Sequence, residues 1–197
     1  YPESIPDWMD GWLDARSGYM VGNVGPGRID FRFFAQGNLL SILFGITTGE
    51  QAQHVMNLYH NHWDELVGEM PVKILYPAMV GEKWRFSTGS DPKNVPYSYH
   101  NGGNWPVLVW PFVTAAVRVG RLELAEQALA IMTKRLKNDN WPEYYDGRRG
   151  DLVGRRANFF QIWSATGLII AHEVLENPES RALLDRALIN GLTEGGN

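Results

Sequence analysis

The stretch Pro106-Val107-Leu108-Val109-Trp110-Pro111-Phe112-Val113-Thr114-Ala115-Ala116-Val117-Arg118-Val119-Gly120-Arg121-Leu122-Glu123-Leu124-Ala125-Glu126-Gln127-Ala128-Leu129-Ala130-Ile131-Met132 reads as two helices joined by a two-residue break. Pro106 suits a first helical turn, where its missing N–H costs nothing. Asn104 stands where a cap is wanted, and Gly120-Arg121 interrupts the pattern. Leu122, Ala125, Leu129 and Met132 then recur at the spacing of one helix face, and the second helix is expected to reach Lys137. So short a break makes the two helices antiparallel neighbours.

The same pattern occurs on either side. Upstream, helices are expected over Phe33–Ile46 and Glu50–Val67, with Thr47-Thr48-Gly49 between them. There a Thr can cap the second helix and Glu50 favours its positive end. Downstream they are expected over Phe159–Leu175 and Pro178–Leu192, split at Asn177-Pro178. The fold class is therefore all-α, with three helical hairpins. The segments between hairpins, 68–104 and 138–157, are long and hold most of the Gly, Pro, Trp and Tyr residues. If the hairpins stack side by side, each segment leading into a first helix emerges at the same end. The long loops then share one rim, as in an α-toroid. Three hairpins alone are half of a six-hairpin toroid and would leave apolar faces uncovered, so sequence before Tyr1 is expected to supply the rest.

Composition narrows the function classes. Of 197 residues, 44% are hydrophobic and 20% charged, the net charge is −4 and cysteine is absent. Disulfide frameworks and thiol catalysis are excluded. A chain of this charge offers no basic stripe for a nucleic-acid backbone, and no apolar run approaches the ~20 residues of a membrane span.

Three segments carry candidate chemistry. Trp141-Pro142-Glu143-Tyr144-Tyr145-Asp146-Gly147 sets two carboxylates among three aromatic rings. Ring faces stack on the C–H faces of sugars, while carboxylates bind hydroxyls and move protons. Glu143 is the candidate catalytic residue and Tyr144 and Tyr145 candidate sugar contacts, against a structural alternative in which Glu143 pairs with Arg148 or Arg149. Asp146-Gly147 reads as a turn. Tyr97-Ser98-Tyr99-His100-Asn101-Gly102-Gly103-Asn104-Trp105-Pro106 adds His100, Asn101, Asn104 and Trp105 as candidate substrate contacts, against a reading as a turn and helix cap. Asp30-Phe31-Arg32 offers Arg32 as a ligand-orienting group, with a buried ion pair as the alternative. Gln161 and Trp163, at the start of the fifth helix, complete the set of residues able to face a cleft, with core packing as the alternative for Trp163.

Other signatures fail. Gly22-Asn23-Val24-Gly25-Pro26-Gly27 lacks the Lys-Ser/Thr of a phosphate loop. His54, His60 and His62 have no HExxH spacing, so no metal site is assigned. No Gly-x-Ser-x-Gly elbow is present.

Taken in order, these blocks resemble the alkaline/neutral invertases, glycoside hydrolase family 100. The resemblance is carried by Ile5-Pro6-Asp7-Trp8, Gly22-Asn23-Val24, Asp30-Phe31-Arg32, Trp63-Asp64-Glu65-Leu66-Val67-Gly68-Glu69-Met70-Pro71, Asp91-Pro92-Lys93-Asn94, Ser98-Tyr99-His100-Asn101-Gly102-Gly103 and Trp141-Pro142-Glu143-Tyr144-Tyr145-Asp146-Gly147. It extends from Tyr1 to about Glu179. It implies an (α/α)6 barrel, with the chain 1–197 as the C-terminal half of that one catalytic domain, that hydrolyses sucrose, or a related small oligosaccharide, with inversion and without cofactor or metal. Glu143 falls on the family's catalytic base. The family's acid is an Asp of the N-terminal half, which leaves this chain alone inert. Cytoplasmic location is implied for bacterial members, and organellar or cytosolic location for plant ones. One departure stands out: members often carry basic residues just before Gln-x-Trp, where this chain has Asn158-Phe159-Phe160. Two other readings share the toroid or the site: an N-acylglucosamine-epimerase-like isomerase, which usually needs paired histidines, and a non-catalytic sugar-binding or assembly module. The oligomeric state, homo-oligomer included, is left open by the sequence.

Overall fold

A computed structural model describes residues 5–25 and 28–183. Its centre is the hairpin read from 106–137. A 3-10 turn over Pro106–Leu108, with Pro106 in its first turn, runs into α5 (Val109–Arg118); α6 (Leu122–Leu136) follows. Gly120, at φ 78°, ends α5 in the left-handed region that favours glycine. Val109, Phe112, Val113, Ala115 and Ala116 are fully buried, so α5 is apolar nearly all round. The reason is its position: α5 packs against α1, α6 and α7.

The first hairpin comprises α1 (Ala35–Leu43) and α2 (Gly49–Asn61). Thr48 caps α2 as expected, in a capping box with Gln51. The expected continuation to Val67 breaks at His62, whose φ of −119° leaves the helical region; a single turn, α3 (Trp63–Leu66), follows. The third hairpin opens with α7 (Ile162–Glu176), later than the expected Phe159. It splits at Asn177 as read, and residues 178–183 are again helical; the remainder of the expected Pro178–Leu192 helix lies outside the described residues. α1, α5 and α7 thus stand in a row, each the first helix of its hairpin. At the far end, Arg118 Nη1 donates to Leu43 O (2.5 Å), Gln53 Nε2 to Val119 O (2.6 Å) and Arg121 Nη1 to Asn57 Oδ1 (2.8 Å), tying the first two hairpins together.

The long segments are more ordered than the sequence suggests, and the all-α expectation is corrected to mainly α. Segment 68–104 contains α4 (Gly81–Thr88), which buries no residue, and a 3-10 turn over Pro92–Asn94. Three two-stranded antiparallel sheets link the loops: β1 (Asn23–Gly25) with β2 (Arg28–Asp30), β3 (Phe33–Phe34) with β4 (Leu75–Tyr76), and β5 (Tyr145–Asp146) with β6 (Leu152–Val153). Phe33 pairs with Tyr76 and Phe34 with Leu75, so the lead-in to α1 is bound to segment 68–104. Asn104 bridges to both Lys73 and Tyr145, which joins that segment to 138–157. All three lead-in segments therefore meet. Tight nesting requires glycine here: a Cβ on Gly103 would sit 2.6 Å from Tyr99 O, and one on Gly154 2.5 Å from the Tyr144 ring.

Candidate active site

Glu143 is held by the two arms of its own loop. Its N–H donates to Asn158 O (2.8 Å), Phe160 N to Asn140 O (2.9 Å) and Gln161 N to Trp141 O (3.0 Å), so residues 140–143 and 158–161 run side by side. Asn140, Trp141 and Phe160 all sit at positive φ, 61°, 55° and 55°. Tyr97 and Tyr99, on the facing turn, are at 62° and 45°. Bulky side chains held in that region are strained, and such residues gather at functional sites.

The Glu143 side chain is nearly enclosed, with the residue only 7% exposed. Asn158 donates to Oε2 twice, from its backbone N (3.3 Å) and from Nδ2 (3.1 Å). Lys93 Nζ lies 3.7 Å from the same oxygen. These partners offset the cost of burying a carboxylate. Among the described residues, no hydrogen bond reaches Oε1. One oxygen is thus anchored and the other is free to accept from a water or a hydroxyl. The alternative pairing of Glu143 with Arg148 or Arg149 is absent among the described residues; Arg149 binds Asp64 (2.8 Å) and Glu69 (3.0 Å) instead.

Lys93 is placed by its own turn. Asp91 caps that turn, accepting from Lys93 N (2.9 Å) and Asn94 Nδ2 (2.7 Å), and Ser98 Oγ donates to Lys93 O (2.8 Å). Its ammonium lies 4.0 Å from the Tyr99 ring centroid and 5.2 Å from that of Tyr144, a cation–π arrangement. Neither Lys93 nor Asn158 is singled out chemically by the sequence, although Asp91-Pro92-Lys93-Asn94 marks the first as part of a block.

An aromatic wall adjoins the carboxylate. His100 stacks on Trp105 (5.0 Å, 14°), and Trp105 stacks on Tyr144 (5.4 Å, 24°) and meets Trp163 edge-on (5.9 Å). Trp105 Nε1 donates to Tyr99 O (3.0 Å), which fixes its ring. His100, Trp105, Trp163, Gln36, Ile74 and Trp110 line a trough of about 360 Å³ along α1 and α5, and Gln161 borders the hollow next to it. Glu143 lines none of these hollows. It lies one residue from Tyr144, whose ring backs Trp105. Burial lowers the proton affinity of the His100 imidazole, the Glu143 charge works in the opposite direction, and Lys93 adds to the lowering. His100 is therefore held toward its neutral form, able to donate from one nitrogen and accept at the other.

The remaining candidates fall into two groups. Trp163 is 42% exposed and faces the trough, so it is not a core residue. Arg32 is ion-paired with Asp30 through Nε and Nη2, while its buried Nη1 has no partner among the described residues. Asn101, Asn104, Tyr144 and Tyr145 are buried, with their polar atoms engaged by protein. Asn101 brackets Met79 (Oδ1 accepting at 2.7 Å, Nδ2 donating at 3.0 Å). Asn104 Nδ2 donates to Val67 O (2.7 Å) and Met70 O (2.6 Å), so its side chain is not the helix cap expected before Pro106. The Tyr144 hydroxyl donates to Arg155 O, and that of Tyr145 to Asp139 Oδ2 (3.0 Å). No group of three His, Cys, Asp or Glu residues able to hold a metal occurs among the described residues.

Fold and site define a mainly helical protein whose interhairpin loops set one anchored carboxylate beside an aromatic-walled trough. The sequence model of the family described as alkaline and neutral invertase matches residues 1–178, and the chain belongs to that family. It is 47% identical over 93% of its length to alkaline/neutral invertase C, mitochondrial, of Arabidopsis thaliana, covering 28% of that protein. Cytosolic invertase 1 of Oryza sativa subsp. japonica is 46% identical over 93% of the chain, which covers 33% of it. Alkaline/neutral invertase E, chloroplastic, of Arabidopsis thaliana is 45% identical over 93%, with 30% covered. The chain spans about a third or less of the length of these curated relatives.

Proposed function

We propose that this chain forms the C-terminal half of an (α/α)6 glycosidase domain that hydrolyses sucrose, or a related small oligosaccharide, to its monosaccharides with inversion. Family membership supports the substrate class. The row of first helices α1, α5 and α7, with their lead-in segments meeting at one end, supports the half-barrel. The observation that carries the mechanism is the asymmetry of Glu143: Oε2 anchored by Asn158 and faced by Lys93, Oε1 without a protein donor.

In this reading Oε1 takes a proton from a water as the water's oxygen attacks the anomeric carbon of the glucosyl unit. The fructosyl oxygen leaves and takes a proton from a carboxylic acid on the opposite side of the scissile bond. An inverting pair is separated by roughly 6.5–9.5 Å, which leaves room for the water. Asp30, Asp91 and Asp146 are each committed elsewhere: to Arg32, to the Lys93 turn, and to Arg155 N (2.7 Å). The acid is assigned to the part of the complete protein that corresponds to the rest of its relatives, so residues 1–197 alone are expected to be inert. No cofactor or metal enters the scheme. His100, Trp105, Gln161 and Trp163 are assigned to sugar contact, and Arg32 offers Nη1 to a hydroxyl. Asn101, Asn104, Tyr144 and Tyr145 support the wall from behind. A cytoplasmic location accords with the similarity to a cytosolic invertase.

The test is the anomer first released. Proton NMR of sucrose hydrolysis by the complete protein is expected to show β-glucose first, followed by mutarotation. α-Glucose first would refute inversion, and release of no glucose would refute the substrate.

A further inference from the structure

Lys73 is 1% exposed and forms no ion pair among the described residues. Its backbone N–H donates to Leu66 O (2.9 Å). Its amine donates to Gly102 O (3.2 Å) and Asn104 Oδ1 (2.8 Å), with the Tyr97 ring 5.5 Å away. Asn104 passes the constraint on. Its Nδ2 holds Val67 O and Met70 O, and its backbone exchanges two hydrogen bonds with Tyr145 (2.9 and 2.8 Å). One amine thus joins three segments: the strap 66–73, the turn bearing His100 and Trp105, and the strand that begins two residues after Glu143.

A packing role does not account for the residue type. Taking an ammonium out of water is costly, and a methionine would fill a similar volume without that cost. What the amine adds is two donors for two backbone-fixed acceptors. Burial pushes its proton affinity down to about 7, with the Asp151 carboxylate pulling the other way. The neutral amine still carries two N–H groups, so both hydrogen bonds are available in either state.

We infer that Lys73 is a positioning residue for the candidate site: its amine fixes the turn carrying His100 and Trp105 against the strand that follows Glu143. The inference rests on the reading of Glu143 as the base. In the complete protein, Lys73→Met is expected to lower kcat on sucrose by roughly ten- to a hundredfold, because misplacement of about 1 Å costs that much. KM should rise several-fold as well, because the turn that loses its tie carries the assigned sugar contacts His100 and Trp105. Amide exchange at Asn104 and Tyr145 should accelerate while that of α5 is unchanged.

A folded Lys73→Met protein with wild-type kcat overturns the inference, whatever its exchange pattern. Where Lys73→Met does not fold, Lys73→Gln is measured in the same way. If the wild-type protein releases no glucose, the sucrose reading fails; unchanged exchange at Asn104 and Tyr145 in the variant would then separately refute Lys73 as the tie.

Discussion

Asn158 hydrogen-bonds Glu143 from three directions, accepting from its backbone N–H at 2.8 Å and donating twice to Oε2 at 3.3 and 3.1 Å. Replacing its side chain removes the Nδ2 donor, keeps the backbone N–H at Oε2, and leaves the trough untouched. Asn158→Ala in the complete protein is expected to lower kcat about tenfold or more with little change in KM, because the free oxygen loses its direction. Steady-state kinetics on sucrose check this; an unchanged kcat would assign Asn158 to loop closure alone.

Lys93 supplies the charge that accompanies the buried carboxylate, 3.7 Å from Oε2 and above two tyrosine rings. Lys93→Met leaves Glu143 with its two amide donors only. Removing one partner of a buried pair is costly. The variant is expected to melt earlier, by roughly 1–3 kcal/mol, and to lose kcat. Calorimetry together with the rate measures both; a variant with wild-type melting and rate would remove Lys93 from the site.

Gly103 lies so close to the Tyr99 backbone that a Cβ would stand 2.6 Å from its O and 2.7 Å from its N. Backbone cannot yield as a side-chain tip does. Gly103→Ala is expected to destabilise by about 1–3 kcal/mol, and to disturb the His100–Trp105 stack. Denaturant unfolding and tryptophan fluorescence report the two effects, and an unperturbed midpoint would contradict the close packing of this turn.

The buried Lys73 amine makes stability depend on pH. In the folded chain it loses its proton near 7, whereas unfolded it holds it up to about 10.5. Between these values the unfolded state binds more protons, so this group's contribution rises with pH from about 7 and falls away as pH drops through 7. Asp151 and the Tyr97 ring are the groups that face it. Above about pH 10 the trend reverses, because the buried hydroxyls of Tyr19 and Tyr59 resist ionising. Between pH 7 and 9, Lys73→Met is expected to flatten the rise in melting temperature. An equal slope in both proteins would contradict this.

The helices were legible because their signals are local. Leu122, Ala125, Leu129 and Met132 mark one face over 11 residues, and Gly120 and Thr48 mark ends. The β3–β4 pairing and the Asn104–Tyr145 bridge were not, because they join residues about 40 apart, and the strands of the two local sheets, β1–β2 and β5–β6, are too short to alternate. α4 buries no residue and so leaves no apolar stripe to read. Glu143, His100, Trp105 and Trp163 were legible as a ring-and-carboxylate pattern. Asn104 was misread as a cap because distant carbonyls and Lys73 compete for its amide. Asn158 and Lys93 are not read as partners of Glu143 from the sequence, since a lone amide and a lone lysine become chemical only when the fold places them at one oxygen.

The central claim is that Glu143 accepts the proton of the attacking water. Glucose release from sucrose by the complete protein, set against its Glu143→Gln variant, addresses it most directly. The glutamine keeps the shape of the loop, with its amide oxygen toward the Asn158 donors and its NH2 where Oε1 stood, and cannot accept the proton. The expected result is a fall of about 10²–10⁴ in kcat with an intact fold. A folded variant that retains near wild-type rate would make Glu143 a structural residue and contradict the mechanism.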